Sequence, residues 1–196
     1  MITFFLAVFF LIITPGPGVL STAGVGSAFG RQAGLRYVTG LFIGNNIVVL
    51  AVISGLAAIV FSVPVIRNIL LGLSILYLLY LAFRIATAGA KIAFIESKSQ
   101  PGLIAGITLQ FINPKAYAVN TALFTGFPFM PDALAMETLF KFLLLNAIWI
   151  PVHLLWLGAG IMIKRLELAP HIQFRINLLM ALAMLAVVAL ALFSNL

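Results

Sequence analysis

The sequence predicts an all-α integral membrane protein of six transmembrane helices, built as two inverted three-helix repeats, with helices 1 and 4 broken at proline motifs. Three observations predict it. The 196 residues are 64% hydrophobic and 8% charged, whereas a soluble domain carries about 25% charged residues. The apolar residues gather into six stretches, each long enough for a span of about 20 residues. Two of those stretches carry a proline break, Thr14-Pro15-Gly16-Pro17-Gly18 and Asn113-Pro114-Lys115, and their prolines at 15 and 114 are ninety-nine residues apart.

The first segment runs from Ile2 to Ala23 and is interrupted at Thr14. Two prolines and two glycines within five residues cannot continue a helix: proline removes a donor and clashes with the preceding turn, and glycine lowers helix propensity. A cleaved signal peptide is the other reading of this end, but no positive n-region precedes the apolar run. The second segment is Tyr37 to Val60, the third Val65 to Ala86, the fourth Leu103 to Phe127 broken at Asn113, the fifth Leu139 to Ile163 and the sixth Ile176 to Phe193.

The whole chain reads as one transmembrane domain, with repeat one at 1–88, a connecting loop at 89–101 and repeat two at 102–196. Besides the paired prolines, Asn146 lies one hundred residues beyond Asn46, and Arg67-Asn68-Ile69-Leu70-Leu71 resembles Arg175-Ile176-Asn177-Leu178-Leu179. Three spans per unit turn the second copy upside down. Transporters of that architecture place their sites at the repeat interface, on discontinuous helices.

Basic residues set the orientation. Arg31, Arg36, Arg84, Lys91, Lys98, Lys164, Arg165 and Arg175 fall in loops on one side, and Arg67 and Lys141 on the other. The positive-inside rule then puts both termini outside the cytoplasm. A five-span chain with a re-entrant first segment would move only the N-terminus. The same rule accounts for the formal charge of +7. The cations are scattered, without a basic stripe, so nucleic acid is not an expected partner.

Composition narrows the chemistry further. The chain has no cysteine, which removes disulfides, thiolate metal sites and thiol redox chemistry. Two histidines and four acidic residues form no HExxH or similar metal-ligand motif, and no phosphate-binding glycine loop of the Walker type is present. No metal, cofactor or enzymatic activity is expected.

The two breaks carry the chemistry. Thr14 and Asn113 are good N-cap residues, and proline is favoured at the first helical position, so each break reads as a stop followed by a restart. A restarted half-helix points free N–H groups and a positive dipole end into the gap, and two such ends suit a carboxylate. Gly16 and Gly18 let a ligand approach the backbone. Lys115 lies deep in its segment, where a lysine costs about 2.5–3.5 kcal/mol on insertion scales. It needs an anion, carbonyls or water, and a substrate carboxylate would serve. Each break alone fits a structural kink; their pairing, with a lysine in one, favours a site. The substrate-binding set is therefore Thr14, Pro15, Gly16, Pro17, Gly18, Asn45, Asn46, Asn113, Pro114 and Lys115. His153 is a candidate proton relay, with packing as its commoner role. Asn120, Asn146 and Gln110 read first as interhelical hydrogen-bonding residues, and Gly40 and Gly44 as a close-packing pair.

These residues also resemble a known family, the lysine exporter and threonine/homoserine exporter (LysE/RhtB) family of bacterial amino-acid exporters. Its Thr-Pro-Gly-Pro stands at Thr14 to Pro17, its Gly-Arg-x-Ala-Gly at Gly30 to Gly34, and its Gly-x-x-Tyr-Leu-type third helix at Gly72 to Leu81. Its Gly followed by Asn-Pro-Lys stands at Gly106 and Asn113 to Lys115. The resemblance covers nearly the whole chain. It implies a proton-driven exporter of small amino acids or their derivatives in the inner membrane. Two positions depart from the family's pattern. Gly18 stands where Asn is frequent, and Asn45 where many members have an acidic residue. Without that carboxylate, proton coupling would fall to His153, Lys115 or the substrate, and a less polar substrate becomes admissible.

The expected function is thus a secondary transporter exporting small carboxylate-bearing metabolites by alternating access. The alternative is a membrane scaffold or transporter-like subunit without transport of its own. The expected partners are a small-molecule substrate and the lipid bilayer, and a six-span chain is compatible with a homo-oligomer.

Overall fold

A computed structural model of the chain describes residues 1–14, 16–86 and 100–193. The described elements are helical: α1 (Ile2–Ile13), α2 (Pro17–Phe29), α3 (Arg31–Ile53), α4 (Leu56–Ser62), α5 (Pro64–Ala86), α6 (Leu103–Ile112), α7 (Pro114–Gly126), a 3₁₀ turn (Pro131–Ala133), α8 (Leu134–Arg165) and α9 (Pro170–Phe193). Among the described residues, three stretches are long and apolar enough to cross a membrane: α3, α5, and α8 with its 3₁₀ turn. The pair α1 and α2, bent by 48° at their break, makes a fourth if taken as one span. Much of the outer surface is apolar: Phe10, Leu50, Ile59, Leu76, Ile104 and Leu155 are among many large side chains turned outward.

Both expected breaks occur. The first segment stops at Ile13 and restarts at Pro17; the fourth stops at Ile112 and restarts at Pro114. Several boundaries differ from the sequence expectation. The first segment continues to Phe29 rather than ending at Ala23, and one residue, Gly30, links it to the next helix. Gly30 can make that corner because its φ of 85° suits a residue without Cβ. Arg31 and Arg36 therefore lie exposed in the first turns of α3, not in a loop. The second segment does not run unbroken to Val60. It ends at Ile53, turns at Ser54 and Gly55 (φ 76°), and resumes as the short α4. Other cations expected in loops also stand on helices. Arg67 and Arg84 lie in α5, Lys141 in α8, and Arg175 in α9, which begins at Pro170. The connecting loop falls almost wholly outside the described residues, with Lys91, Glu96 and Lys98.

Close backbone approach positions the core. A Cβ on Gly40 would collide with the Leu103 carbonyl oxygen, and one on Gly106 with that of Tyr37, so α3 and α6 touch backbone to backbone. Gly160 does the same for α8 on α2, facing the Ala23 carbonyl. Without a hydrophobic drive between helices in lipid, such small-residue contacts and interhelical hydrogen bonds carry association. The hydrogen bonds are present. Tyr37 donates to Ser21 Oγ at 2.9 Å between α3 and α2, and Ser27 donates to Asn177 Oδ1 at 3.0 Å between α2 and α9. Asn46 and Asn146 exchange amide bonds at 3.2 and 2.9 Å between α3 and α8.

Candidate functional site

The two breaks meet. Lys115 Nζ, in the first turn of α7, donates to the Thr14 carbonyl at the end of α1, 2.9 Å away. Its side chain lies across Gly16, where a Cβ would come within 2.9 Å of Lys115 Cδ and Nζ. Between the breaks lies a cavity of about 60 Å³, room for a few water molecules. Thr14, Gly16 and Gly18 line it from one break, Asn113, Lys115 and Ala116 from the other, and Asn45, Gln110 and Asn120 add amides. Leu11, Ile12, Val19, Val119, Leu145 and Trp149 form its apolar wall, and His153 completes it from α8.

The breaks are built differently. Asn113 is the N-cap of α7: its Oδ1 accepts the backbone N–H of Lys115 at 3.1 Å, with Pro114 at the first helical position. Thr14 does not cap α2 as expected. Its hydroxyl instead donates to the Phe10 carbonyl at 2.5 Å and closes α1. The restart comes one proline later, at Pro17, with Gly16 as an N-cap lacking a side-chain oxygen. The start of α2 thus has no side-chain cap and opens towards the cavity rim. Inside α2, Ser21 and Thr22 both donate to the Gly18 carbonyl, at 2.9 and 2.8 Å.

Asn45 and Asn120 face each other, both buried. Asn120 Nδ2 donates to Asn45 Oδ1 at 3.2 Å, and Asn45 Nδ2 has no hydrogen-bond partner among the described residues. A buried donor left unpaired costs about 1–3 kcal/mol, so this amide is disposed to meet an acceptor in the cavity. His153 is buried, with its ring stacked on Trp149 at 3.5 Å between centroids and 14° between planes. Its Nδ1 lies 2.9 Å from the Trp149 carbonyl, and Nε2 points towards Gly18.

Of the expected site residues, Thr14, Gly16, Gly18, Asn45, Asn113 and Lys115 line the cavity together, and so does His153. Pro17 and Pro114 start the two half-helices beside it. Pro15 lies outside the described residues. Asn46 is not at the cavity: it is bound to Asn146. Gln110 and Asn120, which read as interhelical hydrogen-bonding residues in the sequence, line the cavity as well, and so does Trp149. Helical spacing holds a signal for one of them, since Trp149 precedes His153 by four residues and so shares its face.

A family profile settles the kinship, matching residues 9–195 under the description LysE type translocator. The chain belongs to the LysE type translocator family. It is accordingly a multi-pass membrane transporter, not an enzyme. Among curated relatives it is 30% identical over 148 residues to a leucine efflux protein of Enterobacter sp. (strain 638), covering 73% of this chain and 69% of the relative. It is 27% identical over 131 residues to one from Klebsiella pneumoniae subsp. pneumoniae, covering 64% and 62%, and 31% identical over 130 residues to one from Salmonella choleraesuis, covering 64% and 61%. No solved structure matches the chain.

Proposed function

We propose that this LysE type translocator is a proton-driven secondary transporter that exports small neutral amino acids, or related carboxylate-bearing metabolites, across the bacterial inner membrane by alternating access. The observation that carries the reading is the bridge between the breaks, Lys115 Nζ on the Thr14 carbonyl beside a cavity that joins amides to an apolar wall. An ammonium resting on one carbonyl can exchange it for a carboxylate, a stronger acceptor. The start of α2 at Gly16 and Gly18 and the start of α7 at Asn113 supply N–H groups and dipole ends to the same anion. The unpaired Asn45 amide adds a further donor. The apolar wall of Leu11, Ile12, Val19, Val119, Leu145 and Trp149 suits an aliphatic side chain, in keeping with relatives that are named leucine efflux proteins.

The chain is read as two inverted three-helix repeats, 1–88 and 102–196. The Asn46–Asn146 pair supports this, since equivalent residues of two repeats meet each other only on the axis that relates them. Both termini then lie on the periplasmic side.

Efflux from proteoliposomes preloaded with radiolabelled leucine tests the reading. The wild type is expected to release leucine, and faster when the opposite face is acidified. Lys115→Ala is expected to slow release by about tenfold or more, the loss of one charge-assisted hydrogen bond. Unchanged release by the variant would remove Lys115 as the anchor. No flux of any neutral amino acid by the wild type would favour a subunit without transport of its own.

A further inference from the structure

His153 stands at the cavity with its protonation pattern already chosen. The Trp149 carbonyl can only accept a hydrogen bond, so Nδ1, 2.9 Å away, carries the ring proton. In the neutral ring Nε2 is then a bare acceptor. It faces Gly18, where even a Cβ would sit 3.6 Å from it. No carboxylate lines the cavity among the described residues, so an incoming ammonium finds His153 Nε2 and the amide oxygens as its acceptors.

We propose that His153 Nε2 binds the α-ammonium of the substrate and, in the alternate state, the coupling proton, so that the two exclude each other. The inference rests on the reading of this cavity as the amino-acid site. Geometry favours it. Gly16 faces Lys115 and Gly18 faces His153 Nε2, and the two glycines are two residues apart at the start of α2. An α-amino acid whose carboxylate lies on Lys115 and the helix starts has its ammonium on the adjoining atom, beside Gly18. Neutral His153 accepts a hydrogen bond from that ammonium. A proton arriving at Nε2 turns the acceptor into a donor and sets two cations against each other, which expels the substrate. The face of the Trp149 indole, stacked at 3.5 Å, supports the imidazolium. Release of that proton on the cytoplasmic side restores the acceptor for the next substrate. Mutual exclusion of proton and substrate at one atom is what an exporter needs to couple inward proton flow to outward substrate flow.

Other charged groups do not duplicate the role. α7 brings Lys115, whose charge the substrate carboxylate meets. α1, α2, α3 and α6 present Thr14, Gly16, Gly18, Asn45 and Gln110. On α8 itself, Glu137 and Lys141 are paired with each other.

Leucine binding to the purified, full-length protein in detergent, measured at pH 5.5 and pH 8, tests this. Wild-type affinity is expected to fall about tenfold or more at the lower pH, where a proton competes with the ammonium for Nε2. His153→Gln is expected to bind about tenfold more weakly at pH 8, without the pH dependence, and to lose acceleration of efflux by an acidic opposite face. His171→Gln, on an exposed residue outside the cavity, should keep both. Should the glutamine variant fail to fold, ¹⁵N-histidine spectra of the wild type give the answer directly. The proton should be on Nδ1, and leucine should shift the Nε2 signal of one histidine. Wild-type binding that is equal at both pH values, pH dependence that survives in His153→Gln, or a proton on Nε2 overturns the proposal. If leucine binds and Lys115→Ala weakens it while His153→Gln has no effect, the carboxylate site stands and this inference alone falls. If leucine does not bind at all, both fall.

Discussion

Lys115 and Asn113 divide the work of one helix start. Asn113 fixes where α7 begins by accepting the Lys115 N–H, and Lys115 spans the gap to Thr14. Asn113→Ala should destabilise the protein by about 1 kcal/mol, the usual worth of an N-cap, read as a lowered unfolding midpoint in detergent. A second residue-scale feature is the buried pair of Glu137 and Lys141, 2.7 Å apart. Glu137 accepts the backbone N–H groups of Phe129 and Met130, while Lys141 donates to the Phe124 carbonyl and lies between the Phe4 and Phe129 rings. Glu137→Gln leaves the ammonium buried without its counter-charge and should destabilise by about 3–5 kcal/mol, whereas Glu137→Gln with Lys141→Met should recover most of it. Unfolding of the two variants side by side checks this. Lys115 is legible in the sequence because a charge in an apolar run has few explanations. The Glu137–Lys141 pair is not, because acidic and basic residues at a span end read as loop charges. Their four-residue spacing is the signal available.

At the scale of elements, the half-helices matter because they end in the same place, and glycines decide that they can. Gly40 and Gly106 let α3 and α6 meet at backbone contact, and Gly160 seats α8 on α2. Gly106→Val would press a side chain into the Tyr37 carbonyl and the Leu41 nitrogen, backbone atoms that cannot swing aside. We expect this variant to lose its folded, monodisperse form on size exclusion, while Gly72→Val, with open space at that position, behaves like wild type. Both proline breaks are readable from composition alone. Their wiring is not: a Thr-Pro pair signals an N-cap, but with Pro17 available the chain delays its restart and Thr14 turns back to close α1. The break at Gly55 is likewise hidden, since a single glycine in an apolar run can be tolerated within a helix or used to end one.

For the whole molecule, the eight-to-two distribution of cations predicts both ends of the chain outside the cytoplasm. A C-terminal fusion to alkaline phosphatase should be active and the same fusion to green fluorescent protein dark, and a reversed result would reverse the direction assigned to transport. Lys141, inside α8 and paired, weakens the count on the outer side and so leaves the bias pointing the same way. In the inverted-repeat reading Asn46 and Asn146 form a single contact on the axis. Each amide donates to the other's oxygen and also to a carbonyl of its own helix, Phe42 or Phe142, so changing one leaves the other its carbonyl bond but takes the donor from its oxygen.

Three features follow from local physics and need no neighbour: an apolar helical chain suited to a membrane, the positions of its two broken segments, and the demand of Lys115 for an anion or a carbonyl. Hydropathy over a span, proline and glycine in a helix, and the solvation of one charge are enough for them. Three others come into being only when the helices pack. Thr14 becomes the partner of Lys115, Asn45 is left with an unpaired amide, and His153 Nε2 comes to face Gly18. Each is a contact between segments far apart in the chain, or a choice among acceptors that local sequence offers equally. The packing of α1, α2, α3, α7 and α8 around one cavity makes that choice.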